Sequence, residues 1–174
     1  VSFREQVQPI LAARCVVCHG CYDAPCQLIL SSPDGIARGA SKEVVYQGDR
    51  LLPMRPTRLG IDARSTAEWR ERGFFGVTPE AATSSQASLL ELMLELGRAH
   101  RFDPGAKLPA DFPLGLDRTL SCARPDEFAG YVARHPQGGM PYGMAPLPED
   151  QLAVLAAWIG HGAPLPQSAP PVPE

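Results

Sequence analysis

Two cysteines and a histidine near the start of the chain form its strongest chemical motif. Cys15 and Cys18 are three residues apart, and His19 follows directly. On one helical turn the two thiols suit thioether bonds to the two vinyl groups of a haem, and the histidine is then held beneath the iron. Cys-x-x-Cys-His is the attachment pattern of c-type haem. The motif therefore predicts one covalent haem c with His19 as axial ligand.

Two other kinds of site use the same residue types. A thioredoxin-like redox pair would follow a strand in a βαβ unit, and the sequence around Cys15 shows no such setting. A zinc site would need a second close pair of ligands, which Cys21 and Cys26 can supply, so ligand count alone leaves zinc open.

A methionine in a glycine-rich segment is the predicted sixth ligand. Met140 precedes a proline within residues 138–147, just before a C-terminal amphipathic helix. A thioether facing the histidine is a known c-type ligand set that raises the iron potential. The arrangement resembles class I cytochromes c, in which the first and last helices pack across each other. It favours Met140 over Met144, and Met93 is predicted to fill core. The rival histidines His100, His135 and His161 are predicted to lie at the surface or at helix ends.

Three further thiols remain, at Cys21, Cys26 and Cys122. Haem c attachment in bacteria implies export to an oxidising compartment, where disulfides persist. Three cysteines allow at most one internal bond. The short separation favours Cys21–Cys26, and a bond from Cys122 to either of them is the alternative.

Six arginines lie between residues 50 and 72, at Arg50, Arg55, Arg58, Arg64, Arg70 and Arg72. Most are predicted to belong to a solvated loop. Because guanidinium groups suit carboxylates, one of them can pair with the haem propionates. Arg58, together with Trp69, is the predicted contact.

Helical periodicity marks the elements that would position these residues. Residues 1–14 form a predicted amphipathic helix with Phe3, Val7, Ile10 and Leu11 on one face and a kink at Pro9. Four further predicted helices lie near Lys42 to Tyr46 with a stop at Gly48, from Ser84 or Ser85 to Leu96 with a stop at Gly97, from Pro125 to before Pro136, and from Pro148 to a stop at Gly162.

The predicted fold is all-α, with a class I cytochrome c-like core and a long, loop-rich insertion. The haem domain is predicted over residues 1–163, with its core at 1–26 and 125–163 and its insertion at 27–124. Residues 164–174 read as a Pro-rich linker. The start at Val1 without Met and this linker together suggest a piece of a longer chain.

Composition narrows the class of function. The chain has 174 residues, 44% of them hydrophobic and 20% charged, which is typical of a globular protein. A net charge of −3 argues against nucleic acid as a partner. Because no apolar run approaches the ~20 residues that span a bilayer, no transmembrane segment is predicted.

Extended stretches of the sequence resemble the bacterial fatty acid cis/trans isomerases. The likeness begins at Cys15 to Leu28 and returns at Ser121–Cys122 and Gly139 to Gly143. It also covers Arg38 to Lys42, Pro56 to Leu59, Ile61 to Arg70 and Gly73 to Phe75. One departure is Met144, where the family usually has leucine, and this again favours Met140.

The resemblance implies the N-terminal haem domain of a longer periplasmic enzyme. Such an enzyme converts cis-unsaturated fatty acyl chains, free or in phospholipid, to trans without moving the double bond. Ferric haem would act as the electrophile or electron acceptor, so the resemblance implies no catalytic residue beyond the iron. The implied partners are the downstream part of the isomerase, the acyl chain and a redox partner. On motif chemistry alone, a His/Met electron-transfer cytochrome or a haem redox or gas sensor are the alternatives.

Overall fold

The chain is built mainly from short α-helices. A computed structural model describes residues 1–47, 50–80, 87–101, 103, 105–112 and 122–167. Within these residues the helices are α1 (Gln8–Arg14), α2 (Pro33–Arg38), α3 (Thr66–Glu71), α4 (Leu89–Ala99), α5 (Phe128–Arg134) and α6 (Glu149–Gly160). Two-residue strands β1 (Tyr46–Gln47) and β2 (Arg50–Leu51) form an antiparallel ribbon. The architecture agrees with the predicted all-α class.

The opening helix has two parts. A π-helical turn covers Phe3–Val7, and α1 follows directly, with Pro9 in its first turn. Proline is tolerated there because the first N–H groups of a helix have no intrahelical partner. Pro9 therefore lies at the N-terminal end of the regular α-helix, which is confined to Gln8–Arg14. The predicted apolar face is buried in full, at Phe3, Val7, Ile10 and Leu11.

The first and last helices contact each other through their apolar faces. The rings of Phe3 and Trp158 lie 5.8 Å apart between centroids. Val7, Leu155 and Trp158 are fully buried in the same cluster. The indole Nε1 of Trp158 donates a 3.0 Å hydrogen bond to the carbonyl of Pro164, which closes the chain beyond α6. The predicted contact between these two helices is confirmed.

The middle of the chain contributes to the same core. The main apolar cluster includes Leu28, Ile36, Phe75, Val77 and Leu90 together with residues of α1 and α6. The predicted insertion therefore forms part of the protein interior and supplies three of the helices.

One predicted helix is absent, and one predicted helix stop is wrong. Residues 42–45 form no helix, and the chain enters β1 at Tyr46, while the predicted stop at Gly48 lies outside the described residues. Gly97 does not end α4, which continues to Ala99. The N-cap of α4 is Ser88, whose side chain accepts from the Glu91 N–H, and the predicted caps Ser84 and Ser85 lie outside the described residues. The predicted helices that begin near Pro125 and Pro148 are present at those positions.

A second small core lies beside α3. It contains Ala63, Trp69 and Phe74, and the guanidinium of Arg38 lies over the two aromatic rings at 5.6 and 4.9 Å from their centroids. Arg38 is 1% exposed and donates to the carbonyls of Thr57 (2.7 Å) and Gln27. Burial lowers the pKa of Arg38 to about 10, so it stays charged at neutral pH. Arg38 thus links α2 to the backbone at Gln27 and at Thr57.

Among the described residues, no helix combines the length and apolar character that crossing a membrane requires.

Candidate functional site

The Cys-x-x-Cys-His motif continues directly from the end of α1. The Cys15 N–H donates to the Leu11 carbonyl at 2.9 Å, and the His19 N–H donates to the Cys15 carbonyl at 2.8 Å. The motif is therefore one tight turn, which brings both thiols to one end of the helix. Cys15 packs partly against the core, and Cys18 is exposed. Burial raises the pKa of the Cys15 thiol to about 11.

His19 is the buried member of the motif. Its side chain is 8% exposed, and its Nδ1 atom is buried with no hydrogen-bond partner of normal geometry. Burial lowers the pKa of His19, while the backbone of Leu28 and Pro25 acts in the opposite direction. The imidazole is thus held neutral, the form in which histidine binds metals.

His19 faces an apolar cavity of about 80 Å³. This volume is smaller than the ~300–1,000 Å³ typical of small-molecule sites, so the cavity would hold only part of a cofactor. Four parts of the chain form the cavity wall. They are the turn after the motif, the segment around Phe75, α4, and α5 with the residues on either side of it. Its lining residues are His19, Pro25, Cys26, Leu28, Ala40, Phe75, Val77, Leu89, Leu90, Met93, Cys122, Ala123, Tyr131 and Met140.

Met140 reaches this cavity from a loop that is held at several points. Its N–H donates a 2.9 Å hydrogen bond to the carbonyl of Met93 in α4. The hydroxyl of Tyr131 in α5 donates to the carbonyl of Gly138 at 2.7 Å. The Met140–Pro141 peptide bond is cis. His19 and Met140 therefore line one cavity, and Met93, which sequence reasoning assigned to the core, lines it as well.

The other proposed ligands lie elsewhere. Met144 is 39% exposed and does not line the cavity. His100 and His161 are the exposed C-cap residues of α4 and α6. The ring of His135 lies beside that of Tyr131, with 5.1 Å between centroids, and is outside the cavity lining.

The two residues predicted to contact propionates are not brought to the cavity. Arg58 is exposed and forms a two-point ion pair with Asp62, with Nε–Oδ2 and Nη2–Oδ1 distances of 3.0 Å. Trp69 is buried in the second core beneath Arg38. Arg58 is therefore paired with Asp62, and Trp69 is packed against Phe74 and Arg38.

The predicted Cys21–Cys26 disulfide is wrong. Cys26 is bonded to Cys122, with a Cα–Cα distance of 5.6 Å, and Cys21 is an exposed free thiol. Cys21 instead donates to a carboxylate oxygen of Asp23 at 2.9 Å. Because Cys26 is oxidised, it cannot complete a four-thiolate zinc site. In the described ranges no group of three or more His, Cys, Asp or Glu side chains is placed to hold a metal ion.

Sequence reasoning did not assign Tyr131 to the site, and it named Cys122 only as an alternative disulfide partner. It also did not foresee that Gly97 and Gly139 meet, where a Cβ atom on either glycine would overlap the backbone of the other segment. It also missed α3, although Ser65 and Glu68 have the spacing of a capping box, which is visible in the sequence. No sequence signal identifies Gly97, because its role depends on the loop that approaches it.

Comparison with known proteins bears on the identity of this chain. A sequence model described as fatty acid cis/trans isomerase (CTI) matches residues 54–174, more than half of the 174-residue chain. No curated protein and no solved structure matches the chain. The match covers α6, and it also covers the Met140 loop, α4 and α5, which supply much of the cavity wall. The chain therefore belongs to the fatty acid cis/trans isomerase family.

Proposed function

We propose that this chain is the haem c-binding domain of a periplasmic isomerase that converts cis-unsaturated fatty acyl chains to trans. The observation that carries the proposal is the placement of His19. It is buried, held neutral, and faces an apolar cavity directly after two thiols, in a chain that belongs to the fatty acid cis/trans isomerase family.

The residue types of the motif and of the cavity wall suit a covalent haem, and among Cys15, Cys18 and His19 it is His19 that lines the cavity. Cys15 and Cys18 would anchor it by thioether bonds, and His19 would bind the iron on one face. The apolar wall suits a flat hydrocarbon macrocycle, and Met140 offers a thioether from the same cavity. When bound, the ferric group would supply an electron acceptor that lowers the bond order of an alkene and so permits rotation.

The protein would control the access of substrate to the bound group and would exclude water from the cavity. The side chains of Phe75, Val77, Leu89 and Leu90 keep the cavity apolar, which would disfavour water around the bound group. Met140 would hold the iron together with His19, and its thioether would then limit how closely a double bond can approach the group. The Met140 loop is therefore the part of the chain that would control entry.

The Cys26–Cys122 disulfide supports a periplasmic location, because such bonds persist in oxidising compartments. The downstream part of the isomerase and a redox partner complete the proposal, as the partners of this domain.

Electron transfer is the second candidate function. It is favoured by the presence of His19 and Met140 in one cavity, since a His/Met pair is typical of electron carriers.

The test begins with the cofactor. The chain is produced together with the haem c maturation machinery, and covalent haem is read by mass spectrometry after acid extraction. We expect one haem per chain, lost in Cys15→Ser/Cys18→Ser. A chain that matures without covalent haem would contradict the proposal.

The second step separates the enzyme from the electron carrier. The full-length protein is given a cis-unsaturated lipid, and trans product is measured for His19→Ala, Met140→Ala and the matched control Met144→Ala. We expect His19→Ala to abolish trans product and Met144→Ala to leave it unchanged. Haem-loaded full-length protein that cycles between oxidation states but forms no trans product would favour electron transfer.

A further inference from the structure

Gly97 lies in the last turn of α4, where glycine is a poor residue choice. Glycine destabilises a helix relative to alanine because it loses more backbone entropy on folding. The reason for glycine here is space. A Cβ atom built on Gly97 would overlap the carbonyl oxygen, carbonyl carbon and backbone nitrogen of Met140.

The loop residue at this contact is also a glycine, Gly139. A Cβ atom built on Gly139 would overlap the backbone nitrogen and Cα of Gly97 and the carbonyl carbon of Leu96. Two backbones therefore meet with no side chain between them, and both glycines are needed for this approach.

The neighbouring residues of α4 and α5 hold the loop in the same place. The Met140 N–H donates to the carbonyl of Met93, four residues before Gly97 and so on the same face of α4. The Tyr131 hydroxyl donates to the carbonyl of Gly138. Three consecutive loop residues, 138–140, are thus fixed against two helices.

From this geometry we infer that Gly97 is the positioning residue of Met140. The docking of residues 138–140 on α4, with Gly97 at its centre, sets where the Met140 sulfur lies in the cavity and how firmly it holds the sixth position. The inference rests on the proposed function, in which that position belongs to a haem iron. A methyl group at residue 97 would lift the backbone of Met140 from α4, and the sulfur would move with it.

The test uses the haem-loaded chain with Gly97→Ala. The matched control is Gly160→Ala, because Gly160 also lies in a helix but a Cβ there meets nothing within 4 Å. Two quantities are measured: hydrogen exchange of the Met140 amide and carbon monoxide binding to the reduced protein. Because overpacking at a close contact weakens it substantially, we expect both to increase about tenfold in Gly97→Ala. The control should match the parent chain in both.

Tyr131→Phe provides a second test that adds no atom at the contact. It keeps the ring in the cavity wall and removes one of the hydrogen bonds that dock the loop, so faster exchange of the Met140 amide and easier carbon monoxide binding are again expected. This variant serves if Gly97→Ala fails to fold.

Met140→Ala separates this inference from the proposed function. If it leaves the ferric spectrum and carbon monoxide binding unchanged, Met140 is not the ligand and that part of the proposed function is wrong. Faster amide exchange in Gly97→Ala would still support the docking of the loop. Unchanged exchange in a folded Gly97→Ala, or in Tyr131→Phe if the glycine variant does not fold, overturns the inference whatever Met140→Ala shows.

Discussion

Cys26 and Cys122, separated by 96 residues in the chain, are joined by a disulfide, and both lie in the wall of the cavity that His19 faces. The bond ties the turn after the Cys-x-x-Cys-His motif to the segment that leads into α5. It thus closes the cavity across a distance in sequence that no local turn can bridge.

Removing this disulfide should destabilise the chain strongly. A cross-link that closes a loop of about 100 residues restricts the unfolded chain, with a contribution of about 4 kcal/mol. We expect Cys26→Ala/Cys122→Ala to lower the free energy of unfolding by roughly that amount, as measured by urea denaturation under oxidising conditions. Cys21→Ala is the control, because Cys21 is an exposed free thiol. Equal stability of the double variant and the control would contradict the assignment.

Arg38 should be essential to the packing of α2 and α3. Arg38→Met keeps the apolar stem over Trp69 and Phe74 but leaves the carbonyls of Gln27 and Thr57 buried without a donor. Each unsatisfied carbonyl costs about 1–3 kcal/mol, so for two carbonyls we expect the unfolding free energy to fall by about 2–6 kcal/mol.

The matched control for Arg38 is Arg58→Met, which removes a solvent-screened ion pair with Asp62 and should leave the unfolding free energy almost unchanged. Thermal and urea unfolding of both variants measure the difference. A loss in Arg38→Met no larger than in Arg58→Met would show that the buried guanidinium is dispensable.

The N-cap of α4 should depend on Ser88. Its side chain accepts a 3.3 Å hydrogen bond from the Glu91 N–H. Ser88→Ala removes this acceptor and should lower the free energy of unfolding by about 1 kcal/mol. Ser88→Thr keeps a capping oxygen and should retain most of the stabilisation that the cap provides. Because α4 supports the Met140 loop, faster hydrogen exchange in the first turn of α4 is expected in the alanine variant alone. Identical exchange in the two variants would show that another residue caps the helix.

Asp62 should titrate well below a free carboxyl group. The side chain of Arg58 first, and then its backbone N–H, stabilise the carboxylate and lower the pKa of Asp62 to about 2, from an ordinary 3.8. A carboxyl with a depressed pKa adds stability above its ordinary pKa and loses that contribution as the pH falls toward 2. In Arg58→Gln the midpoint should rise toward 3.8, read by carbon NMR of the Asp62 side chain. A midpoint that stays near 2 would mean that the backbone N–H alone sets it.

The sequence alone determined the features that depend on neighbours a few residues apart. The spacing of Cys15, Cys18 and His19 predicts covalent haem attachment without reference to the rest of the chain. Apolar periodicity placed the opening helix and α6, because each buries one face at a fixed helical repeat. Proline and acidic residues near its start placed α5. The resemblance to the isomerase family was likewise visible in local runs of residues, and the family match confirms it.

Tertiary structure alone decided the features that depend on segments meeting in space. Cys26 has Cys21 five residues away but bonds to Cys122, because the fold brings those two walls of the cavity together. Gly97 looks like a helix stop, yet it lies inside α4 because the loop at Met140 needs the space of its missing side chain. Arg58 and Trp69 have side chains suited to a propionate, but the fold pairs one with Asp62 and buries the other under Arg38. Residue type and spacing describe what a side chain can do, whereas the packing of distant segments decides which partner it meets.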